Sequence, residues 1–146
     1  MIGLPVYKMT GSGNDFVMLD ARVSSPADWS PQDMQVVCAR GTGIGADGVV
    51  FVGPGSKVGA ARMIYYNADG SHAAMCGNAA LCSTTLAAHL GIAPAGGMDL
   101  ETDAGTYRSR TSDRGAPSCI WPRWTHLKPW LDWGSLMESA GPRSVV

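Results

Sequence analysis

Cys76 stands between a turn-forming stretch, Asn67-Ala68-Asp69-Gly70-Ser71, and a run of helix-forming residues that begins at Ala79. Asp69-Gly70 is a turn signal, because glycine takes positive φ without a steric penalty. Residues 79–90 are mostly good helix formers, and Gly91 follows them as a plausible C-cap. The spacing therefore puts Cys76 at or just before the first helical turn. Backbone N–H groups have no intrahelical partner there, and the macrodipole favours negative charge. A thiol held in that position is expected to have a lowered pKa and to act as a base or nucleophile. Gly77 leaves the adjacent amides open, so a carboxylate could rest on them. A lone cysteine is more often simply buried. Here the turn, the Cys-Gly-Asn sequence and the helix onset coincide, and together they favour a catalytic corner.

Other chemistries fit less well. The four cysteines, Cys38, Cys76, Cys82 and Cys119, could form two disulfides. With no export signal at Met1-Ile-Gly-Leu-Pro-Val-Tyr-Lys8, reduced thiols and a cytoplasmic location are expected. A metal is not expected either. Cys82 and His89 share a helix face but stand about 10 Å apart along the axis, whereas zinc–ligand bonds are about 2 Å. Cys76 and Cys82 point about 120° apart around the helix. Gly43, Gly45 and Gly48 match G-x-G-x-x-G, yet that motif should follow a strand and open a helix. This one follows a helical stretch and leads into the strand-like Val49-Val50-Phe51-Val52, so no dinucleotide is expected.

The elements that position Cys76 read as follows. Residues 6–9 and 16–20 form short strands on either side of Gly11-Ser12-Gly13-Asn14-Asp15, which has hairpin-turn chemistry. Asn14, on its residue type alone, fits a turn position that tolerates positive φ. Ser30-Pro31 caps a helix through residue 39, with Cys38 in its core face. Gly53-Pro54-Gly55-Ser56 is a turn. Residues 61–66 alternate Arg62, Ile64 and Tyr66 against Met63 and Tyr65, a half-buried strand that delivers Asn67 to its end. The helix after Cys76 is apolar nearly all round and should be surrounded by other elements; Leu81 and Cys82 read as packing. Residues 98–102 and 106–110 pair across Asp103-Ala104-Gly105.

Composition sets the class. The 146 residues fit one small domain with a core; 45% are hydrophobic and 16% charged, which is globular rather than disordered. The net charge of -1 gives no electrostatic reason to bind nucleic acid or an acidic membrane. No apolar run is long enough to span a bilayer.

The motifs resemble those of a known family. Asn67-Ala68-Asp69-Gly70-Ser71, four further residues, then Cys76-Gly77-Asn78-Ala79 is similar to the signature of the diaminopimelate epimerases. Lys8-Met9-x-Gly11-x-Gly13-Asn14-Asp15-Phe16 resembles the family's opening motif, in which the asparagine contacts substrate. Gly43-Ile44-Gly45-Ala46-Asp47-Gly48 and Glu101-Thr102-x-Ala104-Gly105 are similar to two further family stretches. The chain departs at Leu81, where the family usually has arginine, and at Gly48, where some members carry a substrate-contacting glutamine.

The resemblance implies an α+β fold in which a curled mixed or antiparallel sheet, barrel-like, wraps a central α-helix. It implies inversion of one α-carbon of diaminopimelate, LL to meso, with no pyridoxal phosphate or other cofactor and with an amino dicarboxylate as the small-molecule partner. The family supplies two cysteines, one from each of two similar halves, as acid and base on opposite faces. Cys76 matches the first of them, and Asn14, Asn67, Gly77 and Asn78 match substrate-binding positions. The resemblance covers residues 6–110, one half of such an enzyme, so residues 1–110 are expected to form the epimerase-like domain.

Residues 111–146 change character. Trp121, Trp124, Trp130 and Trp133 crowd together with Pro117, Pro122 and Pro129 among them, and no strand or helix period survives. A shifted reading frame or truncated gene is the expectation, and Cys119 lacks the setting of a second thiol. A homodimer pairing two Cys76 corners is one way to complete a site. The alternative, from another class, is a non-catalytic module that binds small carboxylates or a protein partner.

Overall fold

The computed structural model describes residues 4–111; the tryptophan-rich segment and Cys119 lie outside the described residues. The chain runs β1 (Tyr7–Gly11), β2 (Asn14–Asp20), α1 (Pro31–Cys38), β3 (Gly48–Pro54), β4 (Ala60–Asn67), β5 (His72–Ala73), α2 (Gly77–His89), β6 (Met98–Thr102) and β7 (Gly105–Ser109). A short 3-10 turn, Pro26–Asp28, precedes α1. The fold is α+β, as expected.

The seven strands form one mixed sheet in the order β1-β2-β3-β4-β6-β7, with β5 also paired to β4. β1 and β2 form a hairpin; β3 lies parallel to β2 after the α1 crossover, and β6 lies parallel to β4 after α2. Strand β4 is the hub. One edge pairs with β3 from Ala61 to Asn67, and the other is shared between β5 at Tyr65–Tyr66 and β6 at Ala60–Arg62.

Two features of the hairpins differ from the sequence expectation. The β1–β2 turn is the two-residue Ser12-Gly13, both with positive φ (49° and 93°), the backbone that matches the twist of hairpin strands. Asn14 and Asp15 are therefore the first residues of β2 rather than turn residues, paired with Gly11 and Thr10. Likewise Gly53 and Pro54 extend β3, and the turn begins at Gly55.

Among the described residues the sheet is open, not closed into a barrel, and it has a helix on each face. Phe16, Val17, Met18 and Leu19 of β2 and Val49 to Val52 of β3 are fully buried. A strand without alternation needs cover on both sides. Phe16, Met18, Val50, Val52, Met63, Met98 and Leu100 pack with Ala79, Cys82, Leu86 and Ala87 of α2. Val17, Leu19, Val49 and Phe51 pack on the other face with Trp29 and with Met34, Val37 and Cys38 of α1.

Among the described residues, the expectation that α2 would be surrounded holds on its sheet side: Ala80, Leu81, Thr85 and Ala88 are half-buried and His89 is exposed. Both helix ends are well specified. Ser30 and Asp33 form a reciprocal capping box on α1, with Pro31 in the first turn. At the end of α2, Ile92 N donates to Ala87 O and Gly91 N to Ala88 O, while Gly91 takes φ 67°. That is the Schellman arrangement a glycine at this position permits.

Cys38, Cys76 and Cys82 are thiols rather than half-cystines. Among the described residues, no group of histidine, cysteine and acidic side chains could hold a metal, and no helix is long and apolar enough to cross a membrane.

Candidate functional site

Cys76 is the N-cap residue of α2, with extended backbone (φ −143°, ψ 118°) and no capping hydrogen bond from its side chain. Its carbonyl accepts the first helical bond, from Ala80 N at 2.9 Å. The thiol is thus not spent on the helix, unlike the usual serine or aspartate at this position. Cys76 is half-buried against the α2-side core. Gly77 beside it is exposed, and a Cβ built there meets nothing within 4 Å. Residue 77, in the first turn of α2, therefore has open space beside it.

Asn14 and Asn78 meet at the start of α2, and Asn67 is linked to them through residue 47. Asn14 enters from the start of β2, Asn67 from the end of β4 and Asn78 from the first turn of α2. Asn78 Nδ2 donates to Asn14 Oδ1 at 2.6 Å. Asn14 Nδ2 in turn donates to Asp47 Oδ2 at 3.0 Å. The same carboxylate oxygen accepts from Asp15 N at 3.0 Å. With its acceptor used by Asn78 and one donor hydrogen by Asp47, Asn14 is held in a single orientation.

Asn67 is fixed separately. Its Oδ1 accepts from the Tyr65 hydroxyl at 3.0 Å, and its Nδ2 donates to Ser71 Oγ at 3.0 Å. The turn that carries it is closed by Asn67 N to Ser71 O and Gly70 N to Asn67 O, and it is tied to residue 47 by Ala68 N to Asp47 O. Gly70 has φ 82° and its missing Cβ would stand 2.6 Å from Pro31 Cα. Only glycine meets both conditions, and its lack of a side chain lets the turn dock on the start of α1.

Behind the asparagines lies a charged network that the sequence did not reveal. Asp15 pairs with Lys8 at 2.7 Å and with Arg40 at 2.6 Å, and Arg40 also reaches Asp47 at 3.1 Å. Lys8 Nζ additionally donates to Gly45 O. Burial tends to raise the Asp15 pKa, but the hydrogen bonds from Arg40 and Lys8 outweigh it and hold the carboxyl well below the usual range. Asp15 is therefore ionised throughout the physiological range and acts as a fixed anchor, not as a proton donor.

The glycine-rich loop is also accounted for. Gly43, Gly45 and Ala46 donate their N–H groups to Ala39, Val37 and Cys38 carbonyls. These amides close the C-terminal end of α1, so they are not available as a phosphate cradle, in agreement with the sequence reading. The missed residues of the site are Asp47, Tyr65 and Ser71. Asp47 and Ser71 sit inside motifs that were recognised as stretches, without a role for either side chain. Tyr65 carried only the alternation signal of a strand.

A model of the diaminopimelate epimerase family matches residues 6–120. The chain is 45% identical over 124 residues to a diaminopimelate epimerase of Gemmatimonas aurantiaca, which covers 84% of this chain and 44% of that protein. It is 43% identical over 100 residues to a diaminopimelate epimerase of Methanothermobacter thermautotrophicus, covering 67% of this chain and 35% of that protein. Among solved structures, a PhzF-family phenazine biosynthesis protein of Bacillus anthracis aligns with TM-score 0.52 at 20% identity, over 77% of this chain and 38% of that chain. At that identity the likeness is one of fold. The chain spans less than half the length of these curated relatives.

Proposed function

The chain belongs to the diaminopimelate epimerase family, and on that premise we propose that it provides one catalytic half of a cofactor-independent epimerase acting on LL- and meso-2,6-diaminopimelate. Such an isomerase serves lysine and peptidoglycan-precursor synthesis. The observation that carries the reading is the N-cap position of Cys76, with its thiol unspent on the helix and open space beside Gly77.

Inversion at an α-carbon needs a base on one face and an acid on the other. As thiolate, Cys76 removes the α-hydrogen as a proton and becomes the thiol; the electron pair of the broken C–H bond delocalises into the adjacent carboxylate. A second thiol on the opposite face then gives its proton to the carbon, and the reverse reaction exchanges the two roles. The N–H groups at the start of α2 hold the carboxylate and stabilise the charge that develops on it. Asn14, Asn67 and Asn78 orient the substrate. In this chain Cys76 is the residue that matches a family thiol, so the acid for the other face comes from outside residues 6–110. A C-terminal half of the kind found in the longer relatives, or a second copy of the chain, would place it.

Incubating the chain with diaminopimelate in deuterium oxide and reading the α-position by proton NMR tests the assignment. Exchange that depends on Cys76 supports the epimerase half. Tight binding with no exchange, even when a C-terminal half is supplied, would favour a module that only binds small carboxylates.

A further inference from the structure

Gly48 opens β3 directly opposite Asn67 at the end of β4. A Cβ built on Gly48 would stand 2.5 Å from Tyr65 Cε2, 3.0 Å from the Tyr65 hydroxyl and 2.5 Å from Tyr66 O. The ring of Tyr65 therefore lies across residue 48 and occupies the space any larger side chain would need. It is held there edge-on to Phe16, with ring centroids 6.0 Å apart, and it is 7% exposed. The position is set from both sides of the strand, since Tyr65 pairs with Val50 of β3 and with Ala73 of β5.

From this seat the hydroxyl donates to Asn67 Oδ1 at 3.0 Å, while Asn67 Nδ2 donates to Ser71 Oγ at the same distance. Burial, and after it the charge of the neighbouring Cys76, pushes the Tyr65 hydroxyl up to about 12, so it keeps its proton at any physiological pH. With one amide hydrogen bonded to Ser71 and the carbonyl oxygen bonded to Tyr65, the side chain of Asn67 has one N–H left to offer.

We propose that Tyr65 is a positioning residue of the site: seated over Gly48, it locks the Asn67 amide so that an N–H, and not the carbonyl oxygen, is presented to the ligand, which selects a carboxylate oxygen over an ammonium group at that point. The proposal rests on the reading that Asn67 touches the amino dicarboxylate. It also gives Gly48 a reason: the absence of a side chain there is what admits the tyrosine.

The test uses the full 146-residue chain and Tyr65→Phe, which keeps the ring over Gly48 and removes the hydroxyl. Side-chain 15N relaxation of Asn67 should report an ordered amide in the wild type and a mobile one in Tyr65→Phe, with β3 and β4 backbone amides unchanged. Ser71→Ala, on the exposed turn, should loosen the same amide from its other end. Calorimetry with meso-diaminopimelate should show affinity about tenfold weaker in Tyr65→Phe, the size of one lost hydrogen bond. In an Asn67→Ala background the same substitution should change affinity by less than about twofold. An Asn67 amide equally ordered in wild type and Tyr65→Phe would overturn the proposal. So would equal weakening in both backgrounds, which is what a merely structural tyrosine gives. If the wild-type chain does not bind diaminopimelate, the functional reading fails, while the relaxation arm still decides whether Tyr65 orders Asn67.

Discussion

Asn14 and Asn78, 64 residues apart in the chain, are joined by a 2.6 Å hydrogen bond between their side-chain amides. One comes from the second strand and the other from the first turn of α2, so this contact fixes where the helix N-terminus sits relative to the sheet. The carboxylate of Asp47 braces it from behind by accepting from Asn14 Nδ2.

Removing that brace should cost more than a surface charge. Asp47→Ala leaves Asn14 Nδ2 and Asp15 N without their acceptor, and each such loss is worth about 1 kcal/mol when partly buried. Urea denaturation should show a loss of roughly 1–2 kcal/mol, and Asp47→Asn, which keeps one acceptor oxygen, should lose less. An Asp47→Ala protein as stable as the wild type would show that the network is incidental.

The thiols should separate by reactivity. Burial pushes Cys38 up to about 11, and Cys82 is fully buried under α2, whereas Cys76 is half-buried at an open helix end. Alkylation followed across pH with mass-spectrometric assignment should modify Cys76 first among these three, since Cys38 and Cys82 are buried and access limits their reaction. Modification of Cys38 or Cys82 ahead of Cys76 would contradict the helix-terminus account.

How much of this was legible in the sequence follows the range of the interactions. Local signals carried well: Ser30-Pro31 before α1, and Gly91 after α2, are capping devices whose partners lie within four residues. Cys76-Gly77-Asn78 at the helix onset was readable for the same reason. The turn position of Asn14 was misjudged because Ser12-Gly13 supplies both positive-φ residues, and a two-residue loop leaves Asn14 to the strand. The mixed sheet against α2 is the expected one, but the apolarity of α2 does not reveal that the described sheet stays open with a second helix behind it. The uninterrupted Val49 to Val52 run and the Met34, Val37, Cys38 stripe instead place α1 on the sheet's other face. Tyr65 over Gly48 was beyond reach, because it depends on the β3–β4 register.

Acid should weaken the fold through Asp15. Its folded pKa lies below the unfolded value of about 3.9, so its contribution is complete above that pH and is lost as pH falls through the folded value. The melting temperature should therefore hold down to about pH 5 and drop below about pH 4. Asp15→Asn should melt lower at neutral pH and show a shallower acid limb. The arginine of the pair is 62% exposed, so solvent screening keeps its share small and Lys8→Met should reproduce most of the effect. An acid limb unchanged in Asp15→Asn would assign the pH dependence to other carboxylates.

Leu86 is fully buried between α2 and the sheet. Leu86→Asp places an unpaired charge there, at a cost of several kcal/mol that is comparable to the whole stability of a small domain. The variant should not fold. A soluble Leu86→Asp protein with a cooperative melt would mean that α2 is peripheral to the core.

The most direct test joins residues 1–110 to an in-frame C-terminal half from another family member and follows α-proton exchange and epimerisation of diaminopimelate in deuterium oxide. The purified 146-residue chain should turn over near background, since one thiol serves one face and each missing oxyanion donor raises the barrier by about 3 kcal/mol. The fusion should be active, and Cys76→Ala within it should abolish both exchange and inversion. Substantial epimerisation by the 146-residue chain alone would contradict the need for a separate C-terminal half and point to a second copy of the chain, whereas a fusion that stays active with Cys76→Ala would contradict the assignment of Cys76 as the acid/base group of one half.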